Sequence, residues 1–285
     1  MMKTQIILLA LTLIVLSSGC LLPQQVSTNG IVIEEFSSSL SEISPGEQVQ
    51  FRLKIRNSGS VQAENIKFEL FGVSYGDWMC TTDCAKMDYL RAPDPESNTE
   101  GETRECIWDC IAPELKTTYI PGARVWYDYK TNIIRSITVV SHDELQRLAD
   151  KGETLASESI SSTTSPVSVD VQIKTPLKYW PEKNEITFPI AFKIDNTGNG
   201  VACIENCEER DWNYIILYIT SELELSDCEL KANSENKIQL WEGNTRTITC
   251  NAKINERATI QTKKTIDAMA EYTYFTDKIT SVKVA

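Results

Sequence analysis

Apolar and polar positions alternate with a period of two along most of this chain. Val49, Phe51, Leu53 and Ile55 share one face of a segment, Ile66, Phe68 and Leu70 share one face of the next, and Val125, Tyr127 and Tyr129 do so further on. This is the pattern of antiparallel strands with one buried and one wet face. Within residues 31–141, and again within 167–285, it predicts about seven short strands separated by Gly, Asn and Pro turns, the signature of an immunoglobulin-like sandwich. The expected fold class is all-β: two tandem immunoglobulin-like β-sandwiches with a short connecting helix. Pro189 falls inside the strand Phe188–Ile194, where it cannot donate a ladder hydrogen bond, so that strand is expected at an edge or with a bulge.

The two stretches match each other. Phe51-Arg-Leu-Lys-Ile-Arg-Asn-Ser-Gly59 aligns with Ile190-Ala-Phe-Lys-Ile-Asp-Asn-Thr-Gly198, Glu100–Arg104 with Glu242–Arg246, and Tyr127-Asp-Tyr129 with Tyr272-Thr-Tyr274. The offset drifts only from 139 to 145 between these matches, which implies one duplicated order of elements with small loop insertions.

Between the copies, Ser141-His-Asp-Glu144 forms a capping box for a helix that carries Leu145 and Leu148 on one side and ends at Gly152. A helix of some ten residues needs a packing partner, and the first sandwich is the expected one. From Ser157 to Ser165 seven of nine residues are Ser or Thr, followed by Pro166. This reads as a flexible or O-glycosylated linker, so residues 142–166 are expected to join two sandwiches that each own a closed core.

The N-terminal end has a different pattern. Lys3 precedes an unbroken apolar run from Ile6 to Leu16, and Ser17-Ser18-Gly19 leads into Cys20. The run is too short to span a membrane of about 30 Å, and with its charged start and small-residue end it reads as a signal peptide, residues 1–19. Small residues directly before a cysteine resemble a prokaryotic lipobox, which makes Cys20 the expected lipid attachment site and residues 20–30 a short tether. The localisation that follows is the extracytoplasmic face of the cell membrane. No asparagine heads an Asn-X-Ser/Thr sequon, so N-glycosylation is not expected.

Forty Asp and Glu against 28 Lys and Arg give a net charge of −12, which argues against nucleic acid as a partner. His142 is the one histidine, which leaves most zinc and general-base constellations without their ligands. It reads as a solvated helix-start residue. No catalytic residues, cofactor site or metal site are expected.

An exported location makes disulfides the default for the eight cysteines after Cys20. Cys80 with Cys110 and Cys84 with Cys106 share one index sum, as partners on antiparallel strands must. Asp227-Cys228 lines up with Asp83-Cys84, and Cys250, after Thr245-Arg246, with Cys106 after Thr103-Arg104. The shared bridge is then Cys84–Cys106 and Cys228–Cys250. Elimination leaves Cys203 to pair with Cys207, which requires a turn because an extended strand would hold them too far apart. A helical CX3C hairpin and a metal site are the competing readings. The strand-like surroundings of Cys106 disfavour the first, and the oxidising location with no nearby histidine disfavours the second.

Three further features each carry a functional and a structural reading. Asp195-X-Thr197-X-Asn199-Gly200 has oxygens at alternate positions like a calcium loop, but Asn206 stands where a bidentate Glu belongs, so it reads as a β-turn. The loop Asp94–Glu102, with four carboxylates, reads as a solvated hairpin tip. Trp78 and Trp212 each follow an Asp and read as core packing ahead of a sugar-stacking platform.

The Lys-Ile-X-Asn-X-Gly turn, placed shortly after Pro45-Gly46-Glu47, resembles the CARDB-like and related immunoglobulin-type modules of archaeal cell-surface and S-layer-associated proteins. The resemblance implies a binding or spacer role and carries no catalytic residue. Many such modules have no cysteines, and here this chain departs from them. The function expected is therefore that of a non-enzymatic, membrane-anchored surface lipoprotein, structural, adhesive or protein-binding, with a protein or surface polymer as partner. The alternative is an assembly or filament component that binds by β-strand addition. An enzyme or solute receptor is disfavoured because strands do not alternate with long helices.

Overall fold

The computed structural model describes residues 30–73, 78–180, 186–254 and 261–285. The signal peptide, Cys20 and nearly all of the tether lie outside them. Strands dominate. In the first half they are β1 (Ile31–Ser38), β2 (Glu42–Ile43), β3 (Gln48–Asn57), β4 (Ala63–Phe71), β5 (Met79–Thr82), β6 (Met87–Leu90), β7 (Thr103–Ile111), β8 (Thr118–Tyr119) and β9 (Gly122–Ser141). Helix α1 (His142–Lys151) and β10 (Ile160–Ser162) follow. The second half has β11 (Val167–Ile173), β12 (Leu177–Tyr179), β13 (Ile186–Asn196), β14 (Val201–Cys203), β15 (Tyr214–Ser221), β16 (Glu224–Ser226), β17 (Glu235–Gln239), β18 (Thr245–Ile254), β19 (Gln261–Ile279) and β20 (Val282–Val284).

The duplication is visible in the sheet order. One four-stranded sheet runs β1-β3-β7-β5, and its counterpart runs β11-β13-β18-β16. The facing strands, β6-β4-β9 and β19-β15-β17, do not form two further sheets, because β9 and β19 pair antiparallel along their whole lengths, from Ile279 opposite Gly122 to Gln261 opposite Val140. The result is a single nine-stranded sheet through both halves. The inward positions of all three sheets join one apolar core, from Phe51, Leu53 and Ile55 to Phe192, Ile194 and Ile215.

The closing strands are exchanged. The end of β9 pairs in parallel with β12 of the second half, Val139 opposite Leu177. Reciprocally, β20 at the end of the second half lies between β2 and β8 of the first, in parallel with β2 and antiparallel to β8. Val282 and Val284 are buried there. The expectation that each half owns a closed core is therefore corrected: a strand of 20 residues is long enough to serve both halves, and the two long strands offer each other more than twice the pairing that a mean strand of about six residues provides.

The segment read as a linker is also built in. Ile160–Ser162 pairs with β9, Ser165 is buried, and the Thr131 hydroxyl donates to the Ser165 Oγ at 2.8 Å. Ser141 caps α1 by accepting from the Glu144 N–H, and Gly152 closes it in the left-handed conformation. The helix does not rest on the first half alone, since His142 stacks on Trp180, just past β12, at 5.8 Å. Pro189 is tolerated inside β13, an inner strand, because β11 stops at the pair Ile173–Ile190 and leaves that side of Pro189 open.

The motifs repeated in the sequence meet in space. Asn57, fully buried, donates through Nδ2 to the carbonyls of Val61 and Leu90 at 2.9 and 3.0 Å. Asn196 donates in the same way to Gly200 and Gly243, also at 2.9 and 3.0 Å. Each Asn thus ties the turn after its strand to the following hairpin. A side chain on Gly59 would strike the Tyr129 hydroxyl, and one on Gly198 the Tyr274 hydroxyl. The Asn-X-Gly turn and the Tyr-X-Tyr strand are two parts of one contact, which explains why both recur.

Candidate binding face

The β9–β19 ladder has two faces of different chemistry. Inward lie Tyr127, Tyr129, Tyr272 and Tyr274, packed ring to ring at 5.7–6.4 Å. Their hydroxyls close the strand starts and turns: Tyr127 accepts from the Ile31 N–H and Tyr272 from that of Val167, both at 3.2 Å. Tyr129 accepts from the Val61 N–H at 3.4 Å, and Tyr274 from that of Gly200 at 2.8 Å. Burial penalises the phenolate, so Tyr129 and Tyr274 are pushed up to about 12, and Tyr127 and Tyr272 are raised as well.

Outward, opposed residues form a row of cross-strand pairs. Arg124 forks onto Asp277 with both bonds at 2.7 Å, Trp126 lies against Phe275 at 4.5 Å, the Thr273 hydroxyl donates to Asp128 at 2.6 Å, and Lys130 pairs with Glu271 at 2.8 Å. Arg124 also stands over the Phe275 ring at 4.3 Å, and its hydrogen bonds to Asp277 raise its pKa. On the neighbouring strand a bulge puts Asn65 in the left-handed region, from where its Nδ2 donates to Asp128 at 2.8 Å.

One loop lies across this face and has no counterpart in the first half. The link from β3 to β4 is residues 58–62, whereas the link from β13 to β15 is residues 197–213. That longer link contains β14, a 3-10 turn over Glu209–Asp211 and the Cys203–Cys207 bridge. Cys203, Cys207 and Phe275 form a small apolar cluster of their own, with Trp126, Val201 and Trp212 packed on it. Trp212 donates from Nε1 to the Cys207 carbonyl at 3.0 Å. Two hollows flank the loop. One, of about 560 Å³, has Val61, Ile204 and Ile216 with Glu64, Glu205 and Glu271 in its walls. The other, of about 440 Å³, is lined by Trp126 and Cys207 together with Asn65, Lys67, Lys86, Asp128, Glu205, Asn206 and Thr273. Asp128, Glu205 and Thr273 belong to both, so the hollows form one groove.

Among the described residues the cysteines stand as Cys80–Cys110, Cys84–Cys106, Cys203–Cys207 and Cys228–Cys250, with Cα atoms 4.1, 5.1, 5.2 and 4.8 Å apart. In the first half, β5 and β7 pair in the register that places Cys80 opposite Cys110. The repeat equivalence drawn between Cys106 and Cys250 needs correction by one step on the same strand face. Cys106 lies opposite Leu53, while Cys250 lies opposite Ile190, the match of Phe51. Between Cys203 and Cys207 the chain turns through Glu205 in the left-handed region, with the Cys207 N–H donating to the Ile204 carbonyl at 3.0 Å.

The other sequence candidates are dispersed. Asp195 pairs with Lys193 at 2.8 Å and accepts from the Thr245 hydroxyl at 2.7 Å. No group of three or more His, Cys, Asp or Glu able to hold a metal ion occurs among the described residues. Asp94 turns its carboxylate inward to the Glu96 and Ser97 N–H groups and the Ser97 hydroxyl, which lower its pKa, the hydroxyl most. Trp78 is core, against Phe51 at 5.7 Å and Tyr119 at 5.3 Å. Trp212 packs on Phe275 at 5.4 Å. Trp126 was missed by the sequence reading, though its signal was present: it is the large aromatic at an outward position of a strand whose neighbours Val125 and Tyr127 point in.

No family model matches the chain, and no curated protein matches it. Among solved structures it is similar to the secreted serine protease VesC from Vibrio cholerae, at 8% identity and a TM-score of 0.23 over 88% of this chain and 50% of that one. It is also similar to the collagen binding domain of Erysipelothrix rhusiopathiae surface protein RspB, at 7% identity and a TM-score of 0.14 over 91% of each. The chain spans half the length of the protease chain. Both TM-scores are too low for either likeness to bear on fold or function.

Proposed function

We propose that this protein is a non-enzymatic lipoprotein of the extracytoplasmic membrane face, of the archaeal surface type that its Lys-Ile-X-Asn-X-Gly turn resembles. It is anchored through a lipid on Cys20 and built from two immunoglobulin-like sandwiches with exchanged closing strands. Its role is structural, adhesive or protein-binding, with the groove across the central sheet as its contact surface. The observation that carries this reading is that all eight cysteines after position 20 stand in four bonds. Such bonds persist in oxidising compartments and are rare in the cytosol, which agrees with an apolar N-terminal run ending at a cysteine. The test is fractionation of cells that make the wild type and Cys20→Ser. The wild type should partition with membranes and the variant should be released or remain unprocessed; identical partitioning overturns the anchor.

A second reading, assembly by strand addition, is favoured by one feature. In β20 the chain already uses a short alternating strand as an insert, with the Lys283 and Val284 N–H groups donating to Ser41 and Thr117 carbonyls at 2.9 Å. Concentration-dependent oligomers that disappear when residues 280–285 are removed would favour it over the first.

A further inference from the structure

We infer that the hollow beside Trp126 is a saccharide site, in which the C–H face of a pyranose ring lies on the indole and its hydroxyl edge is read by the polar wall. The inference rests on the binding-protein reading and names its ligand class. Three observations converge on it. The first is a broken symmetry. Residue n of β9 matches residue n+145 of β19, as Tyr127 matches Tyr272, so the pair Trp126–Phe275 is the repeat counterpart of the pair Glu271–Lys130. The scaffold needs only some pair there, since it closes equally well on an ion pair on the other side of the Asp128–Thr273 pair. The second is the 197–213 loop, which the fold does without in its first half. Its cystine and its Trp212 hold Phe275, and Phe275 in turn holds Trp126.

The third observation is the chemistry of the wall. Asp128 has one carboxylate oxygen fixed by Asn65 and the other by Thr273, and such an acceptor is pre-oriented before any ligand arrives. Asn206, Lys67 and Lys86 line the same hollow, together with Glu205. One indole, flanked by Phe275 and Arg124, with a pre-oriented carboxylate, an amide and two ammonium groups in the same hollow, matches a polyhydroxylated ring, which has an apolar face and a rim of alternating donors and acceptors. A lipid or an apolar peptide would leave those polar groups unpaired at a cost. The volume, about 440 Å³, lies in the range of roughly 300–1,000 Å³ of small-ligand sites.

The test is titration of the full exported chain, disulfides intact, with chitotriose, maltotetraose and trigalacturonate, followed by tryptophan fluorescence and calorimetry. Saturable binding of at least one is expected, with Trp126→Ala weakening it by about tenfold, as loss of one stacking platform should. Because Trp126→Ala also removes a packing partner of Phe275, the surface variants Asn206→Ala and Lys86→Ala are measured beside it, each expected to weaken binding about threefold or more with unfolding unchanged. Trigalacturonate binding best would assign the two lysines to a sugar carboxylate. Lys193→Ala, on β13 of the other sheet and outside the groove, should bind as the wild type does. No saturable binding of any of the three, or binding that these variants leave intact, overturns the saccharide site. The Cys20→Ser fractionation is independent of that result, so the anchor and the ligand fail separately.

Discussion

The two faces of the β9–β19 ladder descend from one duplication and have aged differently. On the inner face the copies still do the same thing with the same residues. Tyr127 and Tyr272 each close the first strand of their own half, Tyr129 and Tyr274 each cap the turn beyond Asn57 and Asn196, and the two Asn side chains make bonds of equal length. On the outer face an aromatic pair stands where the copy has an ion pair, and a 17-residue link lies where the copy has five residues. A buried hydroxyl or amide without its partner costs free energy wherever it occurs, so the inner face tolerates no drift. The outer face is held only by pairs that substitute for one another, and is free to acquire a binding site.

The inner face should break first at high pH, and this is the largest expected effect. Unfolded tyrosine ionises near pH 10, whereas Tyr129 and Tyr274 hold their protons to about 12 and Tyr127 and Tyr272 are raised too. The folded state therefore binds more protons than the unfolded state above pH 10. The stability these groups contribute is complete below that pH and falls as pH rises toward 12, by up to about 1.4 kcal/mol per pH unit for each tyrosine. In a titration followed by phenolate absorbance, four of the ten tyrosines should ionise only together with loss of the β circular dichroism signal. Four early, independent ionisations would mean that the inner cluster is wet.

The next effect separates the copies. Asn57→Ala and Asn196→Ala each strand two carbonyls; the variant at fully buried Asn57 should cost about 3 kcal/mol in denaturant unfolding and that at half-buried Asn196 about 1 kcal/mol, since an unsatisfied group costs about 1–3 kcal/mol according to its burial. Because one sheet and one core run through both halves, either variant should shift a single transition. Two transitions, or a silent Asn196→Ala, would show that the halves fold apart after all.

The strands, the duplication and the chemistry of the repeated turn were legible because they are local: period-two alternation reports which side faces the core, and an Asn-X-Gly match reports a turn. The cysteine index sums carried register information, which is long-range information written in residue numbers. The fusion of the halves was not legible. A strand such as Gly122–Ser141 has the same alternation whether its second half pairs within its own copy or with the other. The drift from 139 to 145 was also misleading, because larger insertions cancel within it. The link after β13 is 12 residues longer than its counterpart, while those after β15 and β17 are shorter by five and seven than those after β4 and β6. At the binding face, Trp126 and Asn65 come together through a bulge that nothing in the local sequence announces.

The smallest effect tests the outer face alone. Lys130 and Glu271 are the repeat counterpart of the aromatic pair, and their side chains are 59% and 34% exposed. Solvent screens such a pair, and exposed ion pairs contribute about 0.2–1 kcal/mol. A double-mutant cycle of Lys130→Ala and Glu271→Ala should therefore give a coupling below about 1 kcal/mol that shrinks further with added salt. The Lys130 pKa, raised by its hydrogen bond to Glu271, should return toward that of a free lysine in Glu271→Ala. Exchanging the charges, with Lys130→Glu and Glu271→Lys together, should restore most of the small loss. A coupling above about 2 kcal/mol, insensitive to salt, would place this pair with the buried network and not with the surface. In that case the outer face would be as constrained as the inner one, and the aromatic pair opposite would need a structural explanation of its own.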